Sequence, residues 1–120
     1  MIYRQLIGEL QRYGTVLTEH IARPDDVERG MTESEIFKRD MDWLTEADVV
    51  VAEVSTPSLG VGYELARAEH LGKRVLCLFR PSSGGSLSAM ISGSRILTVA
   101  EYETIDEAAR AIEEFLRPAQ

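Results

Sequence analysis

Val49-Val50-Val51-Ala52-Glu53-Val54, running into Ser55-Thr56-Pro57-Ser58-Leu59-Gly60-Val61-Gly62-Tyr63-Glu64-Leu65-Ala66-Arg67, is the stretch that decides the fold. The first run is short, β-branched and apolar on both faces, as expected of a buried parallel strand with helices packed on either side. The period then changes. Tyr63 to Leu71 sets Leu65, Ala68 and Leu71 on one helical face, and Gly72 before Lys73 and Arg74 reads as a helix stop. The order is strand, glycine loop, helix. In open α/β sheets ligands bind beyond the carboxyl ends of the strands, and Gly60 and Gly62 in such a loop would let backbone amides come close to a ligand. Ser58 adds a hydroxyl, and Glu64 is expected in the helix's first turn. On the plainer alternative the glycines only make a turn and Glu64 only complements the helix dipole.

Working outward, the 120 residues suit one domain spanning 1–120, with an apolar content of 44% that can fill a core. A net charge of -7 argues against a nucleic-acid backbone or an anionic membrane as partner, since both call for a basic surface. The single cysteine, Cys77, falls inside Val75-Leu76-Cys77-Leu78-Phe79, where core packing is its expected role and no disulfide within the chain is possible. No stretch approaches the length of a membrane span, and no basic, then apolar leader opens the sequence. The expectation is a soluble cytoplasmic protein.

Upstream, Ile2 to Tyr13 reads as an amphipathic helix with Ile2, Leu6, Leu10 and Tyr13 on one stripe and Gly14 as its stop. Thr15 to Thr18 reads as a short strand that would deliver Glu19 and His20 to the same edge as the Ser58 loop. Ile21 to Gly30 shows no period and reads as a loop or lid. Thr32 with Glu35 forms a capping box, with Met31 and Ile36 as the matching staple, and opens a helix over Glu33 to Ala47. In that helix Ile36, Phe37, Trp43, Leu44 and Ala47 share a face, and Asp40 falls in its middle. A carboxylate so placed should be desolvated, with a raised pKa, unless it has a partner, and groups of that kind mark functional sites. The alternative is that Asp40 caps a backbone amide or pairs with an arginine in a structural network.

Downstream come a strand at Val75 to Phe79, a loop at Arg80 to Gly85, a short helix capped by Ser86, and a strand at Ile96 to Val99. A second capping box, Thr104 with Glu107, opens a final helix that turns Ala108, Ile112, Phe115 and Leu116 to the core. Alternating helices and strands predict a doubly wound, flavodoxin- or Rossmann-like parallel sheet flanked by helices. The pattern opens on a helix where such domains usually open on a strand, so a first strand is expected to be missing.

His20, His70 and Cys77 show no metal-ligand spacing, there is no Walker motif or nucleophile elbow, and Gly60-x-Gly62 alone does not make a dinucleotide site. Neither metal nor cofactor is expected. What remains is a pair of carboxylates, Asp40 and Glu64, among serines and glycines, the usual equipment for breaking a glycosidic bond through an oxocarbenium-like transition state.

Four blocks in order, Tyr13 to His20, Asp48 to Val54, Pro57 to Leu65 and Leu76 to Pro81, closely resemble the 2'-deoxynucleoside 5'-phosphate N-hydrolases, which belong with the nucleoside 2-deoxyribosyltransferases. The resemblance runs to about Met90. It implies that Glu64 attacks the anomeric carbon to form a covalent 5-phospho-2-deoxyribosyl enzyme, and that Asp40 is the second acid, orienting the nucleophile and assisting departure of the base. It implies phosphate binding by Ser58, a homodimer in which Ser88 reaches the neighbouring subunit's phosphate site, and a place for His20 near the base. The substrate implied is a deoxynucleoside 5'-monophosphate. The family also opens on a strand and a Gly-Ser-Ile-Arg-Gly-Gly loop that this sequence does not contain, which puts full activity and stability of the chain in question. A deoxyribosyltransferase, or a non-catalytic nucleotide-binding or interaction protein, are the alternatives.

Overall fold

The computed structural model describes residues 2–17 and 30–117, and its contacts divide the chain into two units, residues 1–47 and 48–120. In the first unit, α1 spans Ile2–Gln11 and buries Leu6 and Ile7. Tyr13, expected on the buried stripe, is 43% exposed. The helix closes by tightening: the amides of Arg12 and Tyr13 bond to the carbonyls of Glu9 and Leu10, three residues back, and Gly14 does not take positive φ. Thr15, Val16 and Leu17 are not strand: none of the described strands pairs with them, and an unpaired run has no ladder to hold it extended. Thr18 lies outside the described residues.

The capping box at Thr32 is present. Its hydroxyl accepts from the Glu35 amide at 3.1 Å, and the Glu35 carboxylate accepts from the Thr32 amide at 2.7 Å. From there α2 runs Glu33–Glu46, with Leu44 buried, Ile36 and Trp43 half-buried, and Phe37 exposed despite its place on the apolar stripe.

The second unit is a parallel sheet with helices against it, as the alternation of periods predicts. Its elements are β1 (Val49–Glu53), α3 (Leu59–His70), β2 (Arg74–Phe79), a 3₁₀ turn (Pro81–Ser83), α4 (Ala89–Ser92), β3 (Thr98–Glu101) and α5 (Ile105–Leu116). The strand order is β1-β2-β3, all parallel, with Ala52 opposite Cys77 and Cys77 opposite Val99. Helix α3 packs on β1 and β2, and α5 on β2 and β3.

The middle of the sheet is therefore β2. Val75, Leu76, Cys77, Leu78 and Phe79 are all buried; since successive side chains point to opposite faces, both faces of this strand are covered. β1, expected to be fully buried, is half-buried along its whole length, because among the described strands it pairs on one side only. β3 starts at Thr98 rather than Ile96. The Ser94 hydroxyl accepts from the amides of Ile96 and Leu97, both at 3.1 Å, which ties them into a turn before the ladder begins.

Two helix ends in this unit follow directly from sequence. α3 stops in a Schellman motif: Gly72 takes φ 75°, its amide bonds Glu69 and the next amide, Lys73, bonds Ala68. At the other end of the chain, α5 opens on the Thr104/Glu107 capping box, and Ala108 and Ile112 are fully buried beneath it.

Candidate active site at the carboxyl ends of the strands

The Ser58 segment leaves β1 at its carboxyl end, as expected, but the boundary between loop and helix differs from the sequence reading. Ser58 is itself the N-cap: its hydroxyl accepts from the Val61 amide at 3.2 Å and its carbonyl from the Gly62 amide at 3.0 Å. That pair of bonds starts α3 at Leu59, so Gly60 and Gly62 are helical residues rather than loop residues. Glu64 then stands in the second turn, not the first, and dipole stabilisation, which fades within one turn, is not what acts on it. Outside the helix's own backbone and the adjoining residues, Gly62 has no atom within 4 Å of where a Cβ would lie and Gly60 has only the Ser58 hydroxyl at 3.8 Å, so the helix start is bare at both positions, which lie on opposite sides of it. Helix geometry leaves the Leu59 and Gly60 amides, at the open end, without intrahelical acceptors. A bare, amide-rich helix start of this length suits an anionic group.

Ser88 has a similar local role. It caps α4, accepting from the Met90 amide at 3.1 Å; Ser86, the expected cap, does not, because the helix begins only at Ala89. Met90 beside it is 84% exposed.

In the other unit, Asp40 has the partner that its helix position called for. Arg39 donates to Asp40 Oδ1 from Nε at 3.0 Å and from Nη2 at 2.9 Å, with both side chains largely covered. The same guanidinium lies 4.6 Å from the centroid of the Trp43 ring and reaches the Met31 sulfur at 3.6 Å. The arginine-paired alternative for Asp40 thus has a physical basis, and this contact is compatible with a catalytic duty as well. His20 lies outside the described residues.

A cluster unforeseen in the sequence joins the carboxyl ends of the three described strands. Glu53, the last residue of β1, accepts from the Ser55 amide at 2.7 Å and hydroxyl at 2.8 Å, and from the phenol of Tyr102, just past β3. The Ser55 hydroxyl in turn accepts from the amide of Arg80, just past β2, at 2.8 Å. Tyr102 is 2% exposed; burial, then its bond to Glu53, raises its pKa far above the ordinary tyrosine value, so the phenol keeps its proton and donates. No grouping of His, Cys, Asp and Glu among the described residues could hold a metal ion, and no described helix is long and apolar enough to cross a membrane.

The sequence model of the family described as Nucleoside 2-deoxyribosyltransferase matches residues 1–96. The chain belongs to the nucleoside 2-deoxyribosyltransferase family. Among its relatives is an Esox lucius protein named 5-hydroxymethyl-dUMP N-hydrolase, 46% identical over 125 aligned positions that cover 98% of this chain and 86% of that one. The Homo sapiens protein of the same name is 54% identical over 97 positions, covering 78% of this chain and 56% of its own length. A solved structure, that of Clostridium botulinum CMP N-glycosidase, BcmB, aligns with a TM-score of 0.59 at 20% identity over 70% of each chain, a likeness of fold.

In this nucleoside 2-deoxyribosyltransferase-family chain, the sequence offers a signal for Glu53, an acid interrupting an apolar strand, and none for Ser55 or Tyr102. Glu53 was the signal: a carboxylate between Ala52 and Val54 needs donors, and none could be assigned from sequence.

Proposed function

We propose that the chain hydrolyses the N-glycosidic bond of 2'-deoxynucleoside 5'-monophosphates, giving free base and 2-deoxyribose 5-phosphate. One observation carries this reading: the stretch that matches the N-hydrolases folds as a Ser58-capped helix at the carboxyl end of a parallel strand, with Glu64 one turn behind the open amides. The names of the close relatives support it and make 5-hydroxymethyl-dUMP the first substrate to offer. Family membership across residues 1–96, which takes in all of the first unit and part of the second, supports treating the chain as one domain.

In the proposed reaction the Glu64 carboxylate forms a bond to the anomeric carbon as the bond to the base nitrogen breaks, and the base leaves with a proton. Asp40 orients the nucleophile and assists that departure. Water then cleaves the glycosyl ester, releasing the sugar phosphate and restoring Glu64. Ser58, with the amides of Leu59 and Gly60, faces the 5'-phosphate, the bare helix start leaves room for the sugar, and the family resemblance gives His20 a role near the base. On a chain of net charge -7 the phosphate has to be held by such local donors.

We propose further that the protein is a homodimer in which Ser88 serves the neighbouring site; the exposed Met90 beside Ser88 supports a contact there. Mixing Glu64→Ala with Ser88→Ala subunits should restore turnover that neither has alone, because one site of the mixed dimer is then intact. A cytoplasmic setting is supported by the buried free thiol of Cys77 and is checked by cell fractionation.

The deciding experiment is incubation with 5-hydroxymethyl-dUMP and the common deoxynucleoside monophosphates, with and without a second free base. Release of base and deoxyribose 5-phosphate is expected. An exchanged nucleotide as the main product would make the chain a transferase, and binding without any base release would make it a non-catalytic nucleotide binder.

A further inference from the structure

We propose that Glu53, Ser55 and Tyr102 act as a positioning clamp for the phosphate-facing hydroxyls and for Glu64, an inference that rests on the hydrolase reading above. The end of β1 contributes Glu53 and Ser55, the end of β2 the Arg80 amide and the end of β3 Tyr102, and the hydrogen bonds form a directed chain. The Arg80 amide donates to the Ser55 hydroxyl at 2.8 Å, that hydroxyl donates to Glu53 at 2.8 Å, and the Tyr102 phenol donates to the same carboxylate oxygen. With the Ser55 amide on its other oxygen at 2.7 Å, the Glu53 carboxylate takes three donors, and the single proton of the Ser55 hydroxyl has only one direction available.

Ser55, 9% exposed, is the root of the Ser58 loop. Only Thr56 and Pro57 separate it from the serine that caps α3, and the proline ring removes one backbone freedom from that short tether. Fixing Ser55 therefore fixes Ser58, and through the Val61 and Gly62 bonds it fixes the start of the helix that carries Glu64. The second proposed phosphate hydroxyl is tethered to the same point. A Cβ on Gly85 would lie 2.8 Å from the Ser55 carbonyl, so the Arg80 to Gly85 loop is pressed against Ser55 as well, and Ser88 follows by the same interval as Ser58 follows Ser55. An apolar plug would join three strand ends equally well. A carboxylate with directed donors, at the root of both serine loops, adds angular precision that a plug lacks.

Tyr102→Phe removes only the phenol oxygen, and Ser55→Ala only the hydroxyl, so both should keep a cooperative thermal transition. Well below that transition, kcat on deoxynucleoside monophosphate should fall about ten- to a hundredfold per folded molecule, more than KM rises, because misplaced reacting groups cost that much in rate. Amide hydrogen exchange over residues 56–62 should quicken in both variants, and Ser55→Thr, which restores the hydroxyl, should recover both readouts. Unchanged exchange over 56–62 in both variants would overturn the clamp, whatever happens to the thermal midpoint. The exchange measurement needs no turnover, so a wild-type chain that releases no base would refute the hydrolase reading and still leave the clamp to be decided.

Discussion

Glu64→Ala should abolish base release and Asp40→Asn should lower it by about a hundredfold or more, each with an unaltered circular dichroism spectrum, since neither is a core residue. Near-normal turnover by Glu64→Ala would remove the nucleophile from the scheme. Gly85→Ala tests close packing rather than chemistry. With the Ser55 carbonyl 2.8 Å from the new methyl, backbone has to move, and the expected loss is about 1–3 kcal/mol in urea unfolding together with reduced turnover. At this scale the sequence was legible where a residue contradicted its own element, as Asp40 does on an apolar stripe. It was mute where partners are far apart in the chain: Ser55 meets Arg80 across 25 positions and Glu53 meets Tyr102 across 49. Even the Arg39 that pairs with Asp40 was hidden, because adjacent residues on a helix do not face each other and only a long, bending guanidinium closes the gap.

Helix starts make their own predictions. Glu35 and Glu107 are held below the ordinary carboxylate value of 4.5, first by backbone amides, of Thr32 for Glu35 and of Glu103 and Thr104 for Glu107. A carboxylate with a depressed folded-state pKa contributes stability above its unfolded value and loses it as pH falls through the folded one. The destabilisation caused by Glu107→Ala should therefore be full at neutral pH and fade as the pH falls below the ordinary carboxylate value and through the lowered one, as read by urea midpoints of wild type and variant along a pH series. Thr104→Ala should cost about 1 kcal/mol at neutral pH, the usual worth of an N-cap side chain. Both capping boxes could be read from sequence because cap chemistry spans only four residues. The start of α3 could not be placed in the same way. Gly60 and Gly62 look like loop residues by propensity, and their helix cost of about 1 kcal/mol each is offset by the Ser58 cap together with the burial of Leu65 and Ala68 against the sheet, which local propensity does not register.

For the molecule as a whole, the alternation of helical and strand periods was enough to predict a parallel α/β sheet, and the sheet's middle strand gives a handle on its stability. Cys77 is fully buried in β2, and burial pushes its thiol up to about 11. A thiol reagent should leave the native protein untouched, and its rate of reaction in rising denaturant should track global opening, since no smaller movement uncovers the centre of the sheet. Fast labelling in native buffer would show that β2 opens locally.

The same strand has a consequence before the protein is folded. Val75 to Phe79 is uninterrupted, apolar and buried on both faces, the type of segment that sticks to copies of itself when left unprotected. During synthesis it emerges well before β3, the neighbour that will cover one of its edges. Arg74 stands at one end and Arg80-Pro81 at the other, charge and ring acting as gatekeepers against intermolecular stacking. Those flanking residues protect the newborn chain from aggregation during the interval in which the sheet is still incomplete.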